Sequence, residues 1–160
     1  MTIATATAQS ELVQGLGPAE AQGVLALGAR VTLPPGAQLF KLGETAERMY
    51  LITRGRIALT LPMQVLGRDE DILVEERLPG ETIGWSALIP PHRFTLKASA
   101  PLETDVLAFS RAALLEHFAT RPAVGYAVTR NVAVVMGHRL QVFQAMWLRQ
   151  MQQMVALRSA

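Results

Sequence analysis

One stretch decides the fold: Gly80-Glu81-Thr82-Ile83-Gly84-Trp85-Ser86-Ala87-Leu88, closed seven residues later by Thr95-Leu96-Lys97-Ala98. Here a strand meets two glycines and then turns into a short apolar segment that can begin a helix. Backbone amides at such a junction can form a cradle for an anionic ligand. A charged residue that grips the ligand is expected directly after Gly84, but Trp85 stands there instead.

The composition is that of a folded domain with a sizeable core. The chain has 160 residues, of which 50% are hydrophobic, no cysteine, and a net charge of +2. The absence of cysteine excludes disulfides and thiolate metal sites, and it favours a reducing compartment. The N-terminus lacks the features of a signal peptide, and no segment reaches the ~18 apolar residues of a membrane span. We therefore predict a cytoplasmic protein.

The sequence divides into three zones that we expect to form one structural domain. Residues 1–29 carry a tail and short helices, and residues 30–110 contain about eight short strands between recurring turn signals. Residues 111–160 are helical, with a long helix that begins near Pro122. The pattern predicts a mainly β fold with flanking helices: an eight-stranded jelly-roll β-barrel with the cassette, residues 80–98, inside it.

Three local details complete this outline. Thr2–Gln9 is small and polar and is expected to be a loose tail. Ser10 is positioned to cap a helix that begins at Glu11. Gly67–Asp71 is predicted to be a polar turn, followed by a strand over Ile72–Leu78.

The apolar positions of the long helix fall into two adjacent sectors when they are plotted at 100° per residue. The first sector holds Val124, Val128, Val135, Val142 and Met146. Its neighbour begins at Val132 and has coiled-coil-like spacing, which predicts that the helix forms a homodimer seam. The seam consists of Met136, Leu140, Phe143, Trp147, Met151 and Met154. The alternative is that these side chains belong to the intramolecular core.

Charge on this helix is entirely basic, because no acidic residue follows Glu116. The arginines, which scatter around all sides of the helix, are Arg121, Arg130, Arg139, Arg149 and Arg158. A nucleic-acid-binding helix would collect them on one face. We therefore expect solvated arginines.

The order of elements resembles the cyclic nucleotide-binding domain of the catabolite activator family, of cyclic-nucleotide-dependent kinases and of gated channels. The resemblance extends over residues 10–155 and rests on the order and spacing of short motifs. They are Pro35-Gly36, Leu39-Phe40, Gly43-Glu44, Met49-Tyr50-Leu51-Ile52-Thr53-Arg54-Gly55-Arg56-Ile57, Leu78-Pro79-Gly80-Glu81-Thr82-Ile83-Gly84 and Thr95-Leu96-Lys97-Ala98.

The resemblance also implies where a ligand would bind. In the family a Glu after the cassette glycine grips the ribose hydroxyl, and a later Arg pairs with the cyclic phosphate. Gly84 matches that glycine, Trp85 replaces the Glu, and the Arg position falls on His92, with Arg93 one residue late. The implied ligand-binding residues are Ile83, Gly84, Trp85, Ser86, Ala87, Leu88, His92, Arg93, Phe94 and Thr95.

Two hypotheses for the cassette remain open. In the first, it binds a cyclic nucleotide or a related small anion through Arg93, Ser86 and the amides from Gly84 to Ala87. In the second, Trp85 occludes it, and the domain is a ligand-free docking or assembly module. In both, we expect a regulatory domain that controls a protein partner by reorienting the long helix about a hinge near Phe118–Pro122.

Other chemistry is disfavoured. His92, His117 and His138 lack the spacing of a zinc pair, although His92 is a conceivable haem ligand because some family members hold haem through a histidine. Glu75 and Glu76 are adjacent on a strand and so point to opposite faces. No nucleophile elbow or phosphate loop is found, so we predict no enzyme. Few residues follow the long helix, so we predict no direct DNA binding.

Overall fold

Eight strands form two antiparallel four-stranded sheets, which confirms the predicted jelly roll. The computed structural model describes residues 10–158, and the predicted tail over Thr2–Gln9 lies outside them. One sheet has the order β1-β8-β3-β6 and the other β2-β7-β4-β5. The strands are β1 (Ala29–Leu33), β2 (Gln38–Phe40), β3 (Arg48–Arg54), β4 (Ile57–Val65), β5 (Arg68–Arg77), β6 (Thr82–Ile83), β7 (Lys97–Ser99) and β8 (Thr104–Ser110).

Strand β3 lies at the centre of the core. Its five inner residues, from Met49 to Thr53, are all buried. A strand covered on both faces needs a continuous apolar run rather than an alternating one, and this run supplies it. Ile57, Leu59 and Phe109 pack in the same core. Full burial of each large side chain stabilises the fold by about 1.5–3 kcal/mol.

Three α-helices and two short 3-10 turns flank the barrel. The helices are α1 (Pro18–Leu25), α2 (Arg111–Thr120) and α3 (Pro122–Arg158), and the 3-10 turns are Glu11–Val13 and Trp85–Ala87. The prediction that Ser10 caps a helix is wrong: Glu11–Val13 is one 3-10 turn, and the Ser10 side chain makes no capping hydrogen bond. The chain leaves that turn early because Gly15 takes a left-handed conformation at φ 82°.

The β4–β5 hairpin is longer than the sequence predicted. Its loop consists of Leu66 and Gly67 alone, with φ values of 50° and 76°. Val65 pairs with Arg68, so the residues predicted to form a polar turn at Gly67–Asp71 belong mostly to β5. Two consecutive positive φ values match the right-handed twist of a two-residue hairpin. The prediction was wrong because Leu66 occupies a position at which glycine or asparagine is the usual signal.

Helix α3 packs on the barrel with one side and exposes another. Val124, Val128, Val132 and Val135 are buried against the barrel. Asn131 Nδ2 donates to the carbonyl oxygens of Leu12 and Gln14, at 3.1 and 2.9 Å, and so ties α3 to the N-terminal turn. Of the six predicted seam residues, Met136 packs partly against the core. The exposed ones are Leu140, Phe143, Trp147, Met151 and Met154.

The length of α3 exceeds what the barrel covers. Its 37 residues extend over about 55 Å at 1.5 Å per residue. In the described part of the chain, no helix combines the length and apolarity that a bilayer crossing requires.

The junction of α2 and α3 requires a glycine. A Cβ atom on Gly125 would lie 2.8 Å from the Cβ of Phe118, closer than packed carbon atoms come. We expect Gly125→Ala to lower the free energy of unfolding in urea by about 1–3 kcal/mol through overpacking. Gly137→Ala is the matched control, because nothing lies within 4 Å of a Cβ there. It should raise stability by up to about 1 kcal/mol. Equal effects of the two variants would contradict close packing at Gly125.

Candidate functional site

The cassette begins at a backbone position that only glycine fills easily. Gly84 has a φ of 76°, and a Cβ there would lie 3.2 Å from the carbonyl oxygen of Arg48. A single 3-10 turn, Trp85–Ala87, follows. The Ala87 amide donates to the Gly84 carbonyl and the Leu88 amide to the Trp85 carbonyl, both at 3.0 Å. The first amide that donates a hydrogen bond within the turn is that of Ala87. The backbone N–H groups of Trp85 and Ser86 therefore have no partner within the turn.

His92, which the resemblance matches to the arginine of the cassette, holds the cassette loop together. Its Nδ1 lies 3.1 Å from the carbonyl oxygen of Ser86. Because a carbonyl only accepts, Nδ1 carries the proton in this contact. The His92 amide donates to the Ile89 carbonyl, and the His92 carbonyl accepts from the Ala46 amide at 2.8 Å. These bonds keep the imidazole on the loop itself.

Arg93 lies outside the cassette pocket. Its side chain is exposed, and Nη1 donates to the carbonyl oxygen of Gly43 at 2.9 Å. Its backbone forms a β-bridge with Thr45. The guanidinium group of Arg93, which was predicted to bind an anion, thus already donates one hydrogen bond to the β2–β3 loop. The structure does not bring Arg93 together with Ser86.

Aromatic rings close the cassette pocket. The ring centroids of Phe40 and Phe94 are 3.7 Å apart with planes 10° from parallel. Between Phe94, half-buried Trp85 and buried Ser86 remains a volume of about 10 Å³. A single water molecule needs about that much space. Among the other predicted ligand residues, Ile83 and Ala87 are buried, Leu88 is half-buried and Thr95 is exposed.

The guanidinium group that does reach this pocket comes from the long helix. Arg139 of α3 lines the pocket and is only 7% exposed. Its Nε lies 2.7 Å from Oε2 of Glu75, although the N–H is poorly aligned with that oxygen. The prediction that Arg139 is solvated is wrong. The sequence signal was its position on α3, on the same side as Val128, Val132 and Val135.

Arg139 is one member of a buried network that we call the arginine clasp: Glu11, Glu75, Arg77, Glu81 and Arg139. Arg77 donates to Glu75 at 2.8 Å and to Glu11 at 2.7 Å. Its Nε lies 3.5 Å from Glu81. Oε2 of Glu11 also accepts a hydrogen bond from the backbone N–H of Thr82, at 2.9 Å. The clasp therefore joins the N-terminal turn, β5, β6 and α3 beside the cassette.

Burial acts on both arginines of the clasp, but their carboxylate partners differ. Burial lowers the pKa of Arg77, and the carboxylates of Glu75, Glu11 and Glu81 more than offset this, so its pKa is raised. Burial lowers the pKa of Arg139, Glu75 opposes the change, and the nearby charge of Arg77 adds to it. Both guanidinium groups stay charged at neutral pH, because arginine does not lose its proton in proteins. The clasp thus depends on its carboxylates.

Within residues 10–158, no group of three or more His, Asp or Glu side chains is arranged so that it could hold a metal ion. Glu75 and Glu76 serve different partners, as expected for neighbours on a strand. Glu76 lies 3.4 Å from Arg56, on the exposed side of the sheet.

Comparison with known proteins identifies the family and its fold. The family model of the cyclic nucleotide-binding domain matches residues 30–121, which include the whole barrel and the cassette. The chain belongs to the cyclic nucleotide-binding domain family. This family consists of regulatory, non-enzymatic domains, so the domain is not an enzyme.

Individual relatives agree with this assignment. The chain is 29% identical over 132 residues to the cyclic AMP receptor protein of Thermus thermophilus, covering 82% of this chain and 58% of that protein. The catabolite activator protein structure from the same organism has a TM-score of 0.71 at 25% identity, covering 89% of this chain and 63% of that one. The N-terminal domain of a Streptomyces coelicolor transcriptional regulator has a TM-score of 0.70 at 26% identity, covering 86% and 94%.

The clasp makes a testable contribution to stability. Glu75→Gln removes the carboxylate that both buried arginines share, so we expect a loss of about 3–5 kcal/mol of unfolding free energy. Arg139→Met removes one poorly aligned pair and should cost less. Arg130→Met is the matched control, because Arg130 is exposed on the same helix and should change stability by less than about 0.5 kcal/mol. Guanidinium denaturation measures all three. If Glu75→Gln behaved like Arg130→Met, the clasp would have no structural role.

Proposed function

We propose that this domain regulates a protein partner through its long helix and that it does so without a cyclic mononucleotide in its cassette. The observation that carries the proposal is the closed pocket. A volume of about 10 Å³ between Trp85 and Phe94 is far below the roughly 300–1,000 Å³ of small-molecule sites. The barrel and its flanking helices would act as one unit.

The missing contacts reinforce this view. Trp85 has no carboxylate for a ribose hydroxyl, a contact worth about 1.5–3 kcal/mol. Ligand entry would also separate the Phe40–Phe94 stack, which costs about 0.5–1.5 kcal/mol. Because each 1.4 kcal/mol is a factor of ten in affinity, these two terms together weaken binding by about 30- to 1,600-fold.

One set of observations favours the second candidate, which is a sensor of a nucleotide or another small anion. The amides of Trp85 and Ser86 are not used by the 3-10 turn, and the Arg139 guanidinium lines the same pocket. An anion that displaced Trp85 would meet both. Such a ligand would compete with Glu75 for Arg139 and so weaken the ion pair that joins α3 to the rest of the clasp.

Isothermal titration calorimetry separates the two candidates. We expect no heat of binding when cyclic AMP, cyclic GMP or cyclic di-GMP is added to the wild-type chain. A nucleotide concentration of about 1 mM would detect even a weak complex with a Kd near that value. Trp85→Ala tests the cause, because removal of the indole should open the pocket and permit weak binding of at least one nucleotide. Saturable binding to the wild-type chain would overturn ligand-free action and favour the sensor.

The exposed stripe on α3 is the proposed contact with a second copy of the chain. It runs through Leu140, Phe143, Trp147, Met151 and Met154 at coiled-coil spacing. Trp147 is 62% exposed, and its burial against an identical helix would supply a large apolar area at about 25 cal/mol per Å². Leu140 directly follows Arg139, so a shift of α3 changes the clasp and the seam together. The partner protein, the cytoplasmic location and the absence of DNA binding remain predictions.

The dimer is tested with Trp147→Ala. We expect this variant to raise the dimer dissociation constant in sedimentation equilibrium by at least about tenfold, because central aromatic residues dominate such interfaces. Gln152→Ala is the control, since Gln152 lies about 140° around the helix from Trp147 at 100° per residue. An unchanged equilibrium in Trp147→Ala would remove the seam assignment.

A further inference from the structure

A second cleft, larger than the cassette pocket, opens at the end of the barrel. It has a volume of about 320 Å³ and lies between the start of β3, the loop before it and the aromatic rings. Phe40 and Phe94 are its only lining residues that also line the cassette pocket. The volume is at the lower end of the roughly 300–1,000 Å³ of small-molecule sites. We call it the barrel-end cleft.

Aromatic side chains form part of the lining of the barrel-end cleft. The Phe40 ring stacks on Phe94 at 3.7 Å and lies 5.9 Å from the Tyr50 ring. All three residues are more than nine-tenths buried, so their positions are fixed by the core. Such a surface suits the flat or apolar body of a small ligand.

Tyr50 also brings a hydroxyl group to the cleft. The residue is 8% exposed, and within residues 10–158 the hydroxyl has no hydrogen-bond partner and is not among the fully buried side-chain atoms. It is therefore open to a ligand in the cleft. Burial raises the pKa of Tyr50, Arg48 opposes the change, and Glu44 adds to it. Both charged side chains are therefore near enough to act on the phenol.

The rim of the cleft offers one cation and one anion that the protein does not use. Arg48 and Glu47 are exposed and line the cleft. In the described part of the chain neither side chain forms an ion pair or a hydrogen bond. Glu44 is different, because its Oε2 already accepts the Lys41 amide at 2.9 Å.

We propose that the barrel-end cleft binds a free α-amino acid with an aromatic side chain. The ligand carboxylate would pair with Arg48 and accept from the Tyr50 hydroxyl. The ammonium group would pair with Glu47, and the side chain would lie on the rings of Phe40 and Phe94. A cyclic nucleotide offers no cation for Glu47, so the cleft has a different chemical preference from the family's cassette.

Calorimetry on the full chain tests the proposal with L-phenylalanine and L-tryptophan. We expect at least one of them to bind saturably. Two analogues separate the charges: 2-phenylethylamine lacks the carboxylate, and 3-phenylpropionate lacks the ammonium group. Each should bind at least about tenfold more weakly than L-phenylalanine. Absence of heat with both amino acids, or an analogue that binds as tightly as the amino acid, would overturn the proposal.

Substitutions of the residues that line the barrel-end cleft test whether the amino acid binds there. Arg48→Gln and Glu47→Gln should each weaken binding at least about tenfold, and Tyr50→Phe should weaken it without unfolding the chain. Arg68→Gln, at the exposed tip of the β4–β5 hairpin, should have no effect. Trp85→Ala should also leave the affinity unchanged, since Trp85 does not line the cleft. Binding that survives both Arg48→Gln and Glu47→Gln would contradict the assignment, as would binding lost in Trp85→Ala.

Discussion

The structure depends on how the charge of Arg77 is held inside the protein. A guanidinium group cannot lose its proton at neutral pH, so its burial is tolerated only if carboxylates surround it. Arg77 is 4% exposed, and Glu11, Glu75 and Glu81 supply the negative charge from three separate segments. Glu75 then has a second oxygen for Arg139 of α3. The need to neutralise one buried arginine thus fixes the N-terminal turn, the edge of the barrel and the long helix relative to one another.

This arrangement explains why the cassette is closed. The turn after Gly84 follows β6, whose Thr82 amide is bound by Glu11, and Arg139 lines the far side of the same pocket. Phe94, in the loop before β7, fills the space and stacks on Phe40. By the resemblance, Trp85 is at the position of the family's Glu and His92 at that of its Arg, and Arg93 bonds to the Gly43 carbonyl outside the cassette pocket. Loss of the family's ligand contacts is therefore part of the proposed function.

Helix α3 has two chemically different sides, one buried and one exposed. Toward the barrel it carries valines and Arg139, and on the exposed side it carries the aromatic and methionine stripe that starts at Leu140. Because Arg139 and Leu140 are consecutive on one helix, the proposed dimer contact would be coupled to the clasp through a shift of α3. The barrel-end cleft lies apart from this helix, at the start of β3, which pairs with the cassette strand β6. A ligand there would contact Arg48, whose backbone lies against the cassette glycine Gly84.

The sequence by itself determined the jelly roll, the order of its strands along the chain, the position of α3 and the turn at Gly84. These features follow from the spacing of apolar residues and from the positions of glycines, which can be read within short stretches of the chain. It was wrong where a local signal was missing or was overridden. Leu66 occupies the first position of a tight hairpin loop, where glycine or asparagine is the usual signal, and Ser10 precedes only a single 3-10 turn. Only the tertiary structure decided that Arg139 is buried, that Arg93 bonds to Gly43 outside the cassette pocket, that Phe94 stacks on Phe40 and that Arg48 and Glu47 border one cleft. Each of these depends on the meeting of segments distant in sequence, where burial and charge pairing, rather than local preference, select the conformation.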